Sequence, residues 1–215
     1  MVKNIRRRWR WIIIGLTTLI ILGILWIWLT KRHVYQSSQM LYGLTFSPLV
    51  LQDMGLDWRA AFTETLDDLA VKRLRLVAYW PMVEPAKDNY DFSDLDWQIE
   101  QAGQRNAQII LAVGARLPRW PECHYPQWYN AENEAEKQQQ LLTYLRAVME
   151  RYDRNPAIAA WQIENEPFLV GFGECPKLNL KLLDQEIALA RSLTKKPIVI
   201  TDSGELSIWL PAAKR

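Results

Sequence analysis

From Leu41 onward the chain repeats one pattern: a short run rich in Val, Ile and Leu, then a longer stretch with apolar residues at helical spacing. Short apolar runs without strict alternation are strands buried on both faces, and strands alternating with helices build a parallel sheet of βα units. The runs predict five strands, Leu41 to Phe46, Arg73 to Tyr79, Ala107 to Val113, Ala159 to Ile163 and Pro197 to Thr201. The helical stretches are Trp58 to Ala70, Asp94 to Arg105, Glu132 to Tyr152 and Leu180 to Leu193, with Ser93 and Asn179 as amino-terminal caps. Strand-to-helix connections such as Gly114 to Asn130 and Asn165 to Lys177 are long and rich in Pro and aromatic residues, whereas Asn155-Pro156 is a short helix-to-strand link. The class is therefore α/β, and the long loops at the carboxyl ends of the strands are where a site is expected.

The first residues follow a different rule. Trp11 to Leu29 runs for nineteen residues without a charge, and as a helix it covers about 28 Å, enough for a bilayer core. Trp9, Trp11, Trp26 and Trp28 stand near its ends, and Lys3, Arg6, Arg7, Arg8 and Arg10 outnumber Lys31 and Arg32. That asymmetry predicts a cytoplasmic amino terminus and an extracytoplasmic body. The competing reading is a cleaved signal peptide, whose apolar core is ordinarily shorter (about 7 to 15 residues) and followed by small residues; Ser37-Ser38 is a poor cleavage site. The expected organisation is a basic stub (1–10), a membrane anchor (11–29), a linker (30–39) and one folded domain (40–215).

The charge balance changes once this segment is set apart. Residues 1–33 hold seven of the 26 Lys and Arg and no acid, so the body carries 19 basic against 24 acidic side chains. A net-acidic body with no basic block excludes nucleic acid as a partner. Seven of the eleven Trp lie in the body, and an indole face can stack on a sugar ring as well as pack a core. The two His, His33 and His124, are far apart, and Cys123 and Cys175 form no CxxC or Cys/His spacing. Neither a metal nor any other cofactor is expected.

The fourth strand carries the most specific signal, reading Ala159-Ala160-Trp161-Gln162-Ile163-Glu164-Asn165-Glu166-Pro167. Asn-Glu-Pro at this place resembles the acid/base motif of the clan A retaining glycoside hydrolases, which include cellulases, mannanases and β-galactosidases. The second unit, Arg73 to Trp80 followed by Glu84-Pro85, Tyr90-Asp91-Phe92-Ser93 and Leu95-Asp96, is similar to that clan's second βα unit. The third, Gln108 to Gly114 followed by Leu117-Pro118-Arg119-Trp120-Pro121, resembles the unit whose aromatic loop borders the sugar.

The resemblance implies a TIM (β/α)8-type barrel acting on O-glycosidic bonds of poly- or oligosaccharides. It makes Glu166 the acid/base and Asn165 the ligand of the sugar 2-hydroxyl. It also makes Arg75 the inward Arg beside the nucleophile, with Tyr79 and Trp80 at the end of the same strand. Trp120 is the stacking candidate, and Glu205, in Asp202-Ser203-Gly204-Glu205, stands where further sugar contacts are expected. Each has a plainer alternative: a structural ion pair for Glu166 and Arg75, loop packing for Trp120, turn chemistry for Glu205. The loops after strands three and four are neighbours in a barrel, so an oxidising compartment predicts a Cys123–Cys175 disulfide.

The clan's barrel has eight strands and its nucleophile ends strand seven, whereas five strands are legible here. The chain therefore reads as the amino-terminal part of a barrel, from a truncated or split frame, with Glu164 or Glu205 as weaker candidates for a second carboxylate. A downstream segment or second chain would complete it. The alternatives are a catalytically inactive, membrane-anchored carbohydrate-binding remnant and an assembly module that pairs through open strand edges.

Overall fold

A computed structural model describes residues 2–34, 42–169 and 171–204. Helix α1 (Val2–Val34) forms a unit by itself, and residues from Tyr42 onward form another. An 18-residue stretch of α1, Trp11–Trp28, is long and apolar enough to cross a membrane, and none of it is buried.

The second unit is a five-stranded parallel sheet in sequential order, β1 (Leu44–Thr45), β2 (Arg73–Val77), β3 (Gln108–Val113), β4 (Ile158–Ile163) and β5 (Ile198–Val199). Between them run α2 (Pro48–Asp53), α3 (Trp58–Asp67), α4 (Trp80–Val83), α5 (Ser93–Gln104), α6 (Glu134–Tyr152) and α7 (Leu180–Leu193). Because every neighbouring pair is parallel, each connection must carry the chain back along the sheet before the next strand begins beside the last. The edge strands β1 and β5 are shorter than expected, two residues each.

The caps explain most of the helix boundaries. Asn133 starts α6 with a full capping box: its side chain accepts from Ala135 N and Glu136 N, and Glu136 accepts from Asn133 N. Asn179 starts α7 by accepting from Leu182 N at 3.2 Å. Ser93, expected as a cap, is instead the first residue of α5. Phe92 occupies the cap position without a side-chain bond, and Asp91 accepts from Ser93 N at 2.9 Å.

Period-two geometry divides each strand between two environments. Leu74, Leu76 and Ala78 of the β2 segment, Ile109, Leu111 and Val113 of β3, and Trp161 and Ile163 of β4 pack under the helices with Phe62, Leu95, Ile99, Leu145 and Val148. On the other face, Val77, Tyr79 and Ala112 make a smaller cluster with Leu117, while Ile110 remains 38 % exposed. The expectation that both faces are buried holds fully only for the helix-covered one. The inner face carries Arg75 and Gln162, and these polar side chains take the place of a second apolar layer.

Candidate active site

The carboxyl end of β4 stops abruptly, with Glu164 and Glu166 both in the left-handed region at φ 57° and 47°. Such backbone costs a non-glycine residue about 1–3 kcal/mol and clusters at functional sites. Its effect here is to turn Glu164, Asn165 and Glu166 into different surroundings within three residues.

Asn165 faces the inner side and is buried. Its Oδ1 accepts from Arg75 at 3.4 Å, Gln162 Nε2 at 3.2 Å and Thr201 Oγ1 at 3.2 Å, and its Nδ2 donates to Glu122 Oε2 at 3.2 Å. With donors on one end and an acceptor on the other, the amide has one orientation. Arg75 is further held by donation to Thr45 Oγ1 at 2.9 Å and Gln162 Oε1 at 3.2 Å. Burial, then the neighbouring Arg119, lowers its pKa, and the nearby Glu166 and Glu122 oppose that.

Glu166 is partly buried, and its backbone N donates to Thr201 Oγ1 at 3.1 Å, so the segment after β5 fixes the residue that follows Asn165. Its carboxylate is sensed electrostatically by both Arg75 and Glu122. The structure thus brings Arg75, Asn165 and Glu166 together on the inner side.

Glu122 was missing from the sequence-based set. It is buried, sits at φ 70°, and its pKa is raised by burial, opposed by the Asn165 bond and Arg116 and reinforced by Glu166. The loop carrying it is fixed by Leu117 N donating to Glu122 O at 2.7 Å and by the Cys123–Cys175 disulfide, whose Cα atoms are 5.2 Å apart. Gly173 (φ 79°) lies so close that an added Cβ would stand 2.6 Å from Glu122 Cβ, so the facing loop needs glycine there.

Trp80 belongs elsewhere, which corrects its assignment as a sugar contact. It is fully buried behind β2, stacked on Tyr144 at 4.9 Å, and its indole N–H donates to Glu84 Oε2 at 2.7 Å. Position 80 falls on the opposite face from Arg75 and Tyr79, so the helix-side core claims the ring. Tyr79 is on the inner side but is itself buried, its hydroxyl bonded to Ser47 Oγ at 2.8 Å and Pro118 O at 2.9 Å. As it stands it braces two loops instead of meeting a ligand. Trp120 is 65 % exposed on the rim, with its edge toward Phe172 at 6.3 Å. Glu205 lies outside the described residues.

Glu164 also departs from its expected alternative role. Its carboxylate accepts from Ala115 N at 2.8 Å and Arg116 N at 2.6 Å and meets Glu186 of α7, away from the Arg75–Asn165 cluster. Among the described residues no group of three or more His, Cys, Asp or Glu could hold a metal ion.

The chain is similar to known proteins over part of their length. A family model described as beta-galactosidase, glycoside hydrolase family 42, matches residues 63–142. Beta-galactosidase BgaA of Clostridium cellulovorans is 26 % identical over 166 residues, covering 68 % of this chain and 25 % of that protein. Beta-galactosidase LacZ of Lactobacillus acidophilus is 28 % identical over 104 residues, covering 40 % of this chain and 16 % of that protein. Among solved structures, a family 10 endo-β-1,4-xylanase from Gloeophyllum trabeum superposes with a TM-score of 0.58 at 16 % identity, covering 77 % of this chain and 52 % of that one. A family 5 subfamily 18 structure from Bifidobacterium longum superposes with a TM-score of 0.56 at 14 % identity, covering 76 % and 44 %. The chain spans about a quarter of the length of BgaA. It therefore resembles, in part, the clan A glycoside hydrolases, and its five strands match part of a TIM-barrel sheet.

Proposed function

We propose that residues 42–204 carry the acid/base side of a retaining glycoside hydrolase, with Glu166 protonating the glycosidic oxygen and Asn165 binding the sugar hydroxyl beside the scissile bond. The observation that supports this reading is the Arg75–Asn165–Glu166 cluster on the inner face, held by Gln162, Thr201 and Glu122. A glycosidic oxygen leaves poorly until protonated, so a carboxyl group poised beside a fixed amide is what the first step requires. The proton moves from Glu166 to the leaving oxygen as the bond to the anomeric carbon breaks. In the second step Glu166 takes a proton from the attacking water.

Retention also needs a nucleophilic carboxylate about 5 to 5.5 Å from the acid/base group. In the family resembled, it ends strand seven, and no described strand occupies that place. Glu122 shares Asn165 with the cluster and serves here as the acceptor that orients the amide. Trp120, exposed beside Phe172, supplies a flat face for a neighbouring sugar. Helix α1 tethers the domain to a membrane, with the basic residues before Trp11 on the cytoplasmic side and the disulfide-bearing domain outside.

The test is Glu166→Gln in a barrel completed by the downstream segment or second chain that carries the nucleophile, assayed on disaccharides and on aryl glycosides with good leaving groups. Protonation contributes about 10²- to 10⁴-fold, so disaccharide hydrolysis falls by that factor while formation of the glycosyl-enzyme from the aryl substrate changes little. Azide then restores turnover of the aryl substrate. Equal loss on both substrates reassigns Glu166, a completed wild-type barrel that hydrolyses neither overturns the reading, and the isolated 215-residue chain is expected to hydrolyse neither.

A further inference from the structure

The carboxylate of Glu122 is poorly matched for a charge so well buried. The residue is only 6 % exposed, and a buried charge is ordinarily paired with an opposite one. Among the described residues no Lys, Arg or His makes an ion pair with it. Its well-formed hydrogen bond comes from Asn165 Nδ2 to Oε2 at 3.2 Å, longer than the usual length of about 2.7–2.9 Å for a bond to a charged group. The backbone N–H of Arg119 offsets a smaller part of the burial. Oε1 has no well-formed partner among the described residues, and it is not sealed from solvent.

The carboxylate is nevertheless held firmly. Arg116 and Cys123 pair as an antiparallel bridge, His124 N donates to Ala115 O at 2.8 Å and Glu122 N to Arg119 O at 2.7 Å, and the disulfide ties the end of this hairpin to the loop after β4. Asn165 beside it has a hydrogen left over. Three donors, Arg75, Gln162 and Thr201, occupy Oδ1, so they already settle which end of the amide is which, and the charge on Glu122 is more than that orientation requires. Nδ2 carries two hydrogens, one of which goes to Glu122. A hydroxyl group is both acceptor and donor. Set against this pair, it takes the second Asn165 N–H on its oxygen and gives its own proton to Glu122 Oε1.

We propose that Glu122 is a specificity-determining residue that accepts a hydrogen bond from the sugar hydroxyl beside the scissile bond, so that the site selects sugars whose hydroxyl there is free. This rests on the reading of Asn165 as the ligand of that hydroxyl. Asn165 alone would accept any group with a lone pair at this position, an ether or a fluorine included. Glu122 adds the demand for a proton on it, and a site built to hydrogen-bond a substrate O–H rejects the analogue that lacks it much more strongly than an apolar pocket rejects a change of size. The substrate class is thereby narrowed to glycosides unsubstituted at the 2-hydroxyl.

The experiment is a ligand-observed NMR titration of the full 215-residue chain in detergent micelles, with empty micelles as the blank. The probes are methyl β-D-galactoside, its 2-deoxy-2-fluoro analogue and its 2-O-methyl analogue; galactosides are used because the chain is similar to beta-galactosidases. Wild type should bind the parent about tenfold more tightly than the fluoro analogue, the scale of a hydrogen bond to a charged group, and the 2-O-methyl analogue no better than the fluoro one. Glu122→Gln keeps the size of the side chain and removes its charge, and should bring the ratio to within about threefold. Glu166→Gln should leave the ratio as it is. Equal binding of parent and fluoro analogue by wild type, a ratio that survives Glu122→Gln, or no binding of the parent would each overturn the proposal, and the first needs no variant to fold. A ratio that is absent while a completed barrel still depends on Glu166 sinks the role of Glu122 alone, whereas an intact ratio in a barrel that hydrolyses nothing sinks that of Glu166 alone.

Discussion

Replacing Glu186 by Gln makes the stability of the domain less dependent on pH. An acid whose folded pKa is raised stabilises the fold fully below its unfolded value, and that contribution is lost as pH rises through the folded one. Burial raises Glu164 from 4.5 to about 7, so its window runs from about pH 4.5 to pH 7, at about 1.4 kcal/mol for each unit. The loss from Glu164 alone is about 3 kcal/mol, and Glu186, also raised by burial and by Glu164, adds in the same direction. In Glu186→Gln the burial that raises Glu164 remains, so the Glu164 part of the dependence persists while the part that belongs to Glu186 is removed. His124 works the other way, because burial lowers its pKa and stability is gained as pH rises towards its ordinary value of 6.5. That contribution is common to both proteins and cancels in their difference. Urea denaturation in phosphate at pH 5 and pH 8 measures it: wild type should lose more stability than the variant between the two, the variant keeping only the loss of about 3 kcal/mol that belongs to Glu164. Parallel stability curves would refute a raised pKa at Glu186.

Two further outcomes are expected. Changing Cys123 and Cys175 together to Ser opens a loop with a sequence separation of 52. That should cost about 4 kcal/mol in the chain-entropy account, read as a lowered urea midpoint that reductant reproduces in wild type; an unchanged midpoint would dismiss the bond as a stabilising link. Deleting residues 1–34, which removes the apolar stretch Trp11–Trp28, should move the protein from the detergent-extracted membrane fraction to the soluble one, and wild-type protein found already soluble would remove the anchor.

The architecture was legible because each βα unit announces itself locally. α7 runs from Leu180 to Leu193 after Asn179, as periodicity and capping require, and β3 differs from its expected span only at Ala107. The edge strands were overextended, since an apolar run gives the reach of burial but not of pairing, and β1 pairs with β2 at only Leu44 and Thr45. Trp80 was misplaced by neglect of the same alternation that grouped Arg75 with Tyr79. Glu122 could not be found by periodicity at all: it lies in an irregular loop, and only the disulfide and the glycine opposite bring it to Asn165. The tie between Glu164 and Glu186 spans β4 and α7, and no local pattern links a strand's last acid to one buried on the next helix.

The disulfide has a mechanical consequence as well. It closes a covalent ring that contains α6, β4 and the Asn165–Glu166 pair. If the chain is pulled from its two ends, tension crosses the sulfur bridge and bypasses everything between Cys123 and Cys175. The ring hides 52 residues' worth of contour, about 180 Å at full extension. Shear on the two ends of the chain would unravel the flanking strands while the segment bearing Glu166 stayed slack, and a protease cut inside the ring would leave both fragments on one covalent thread.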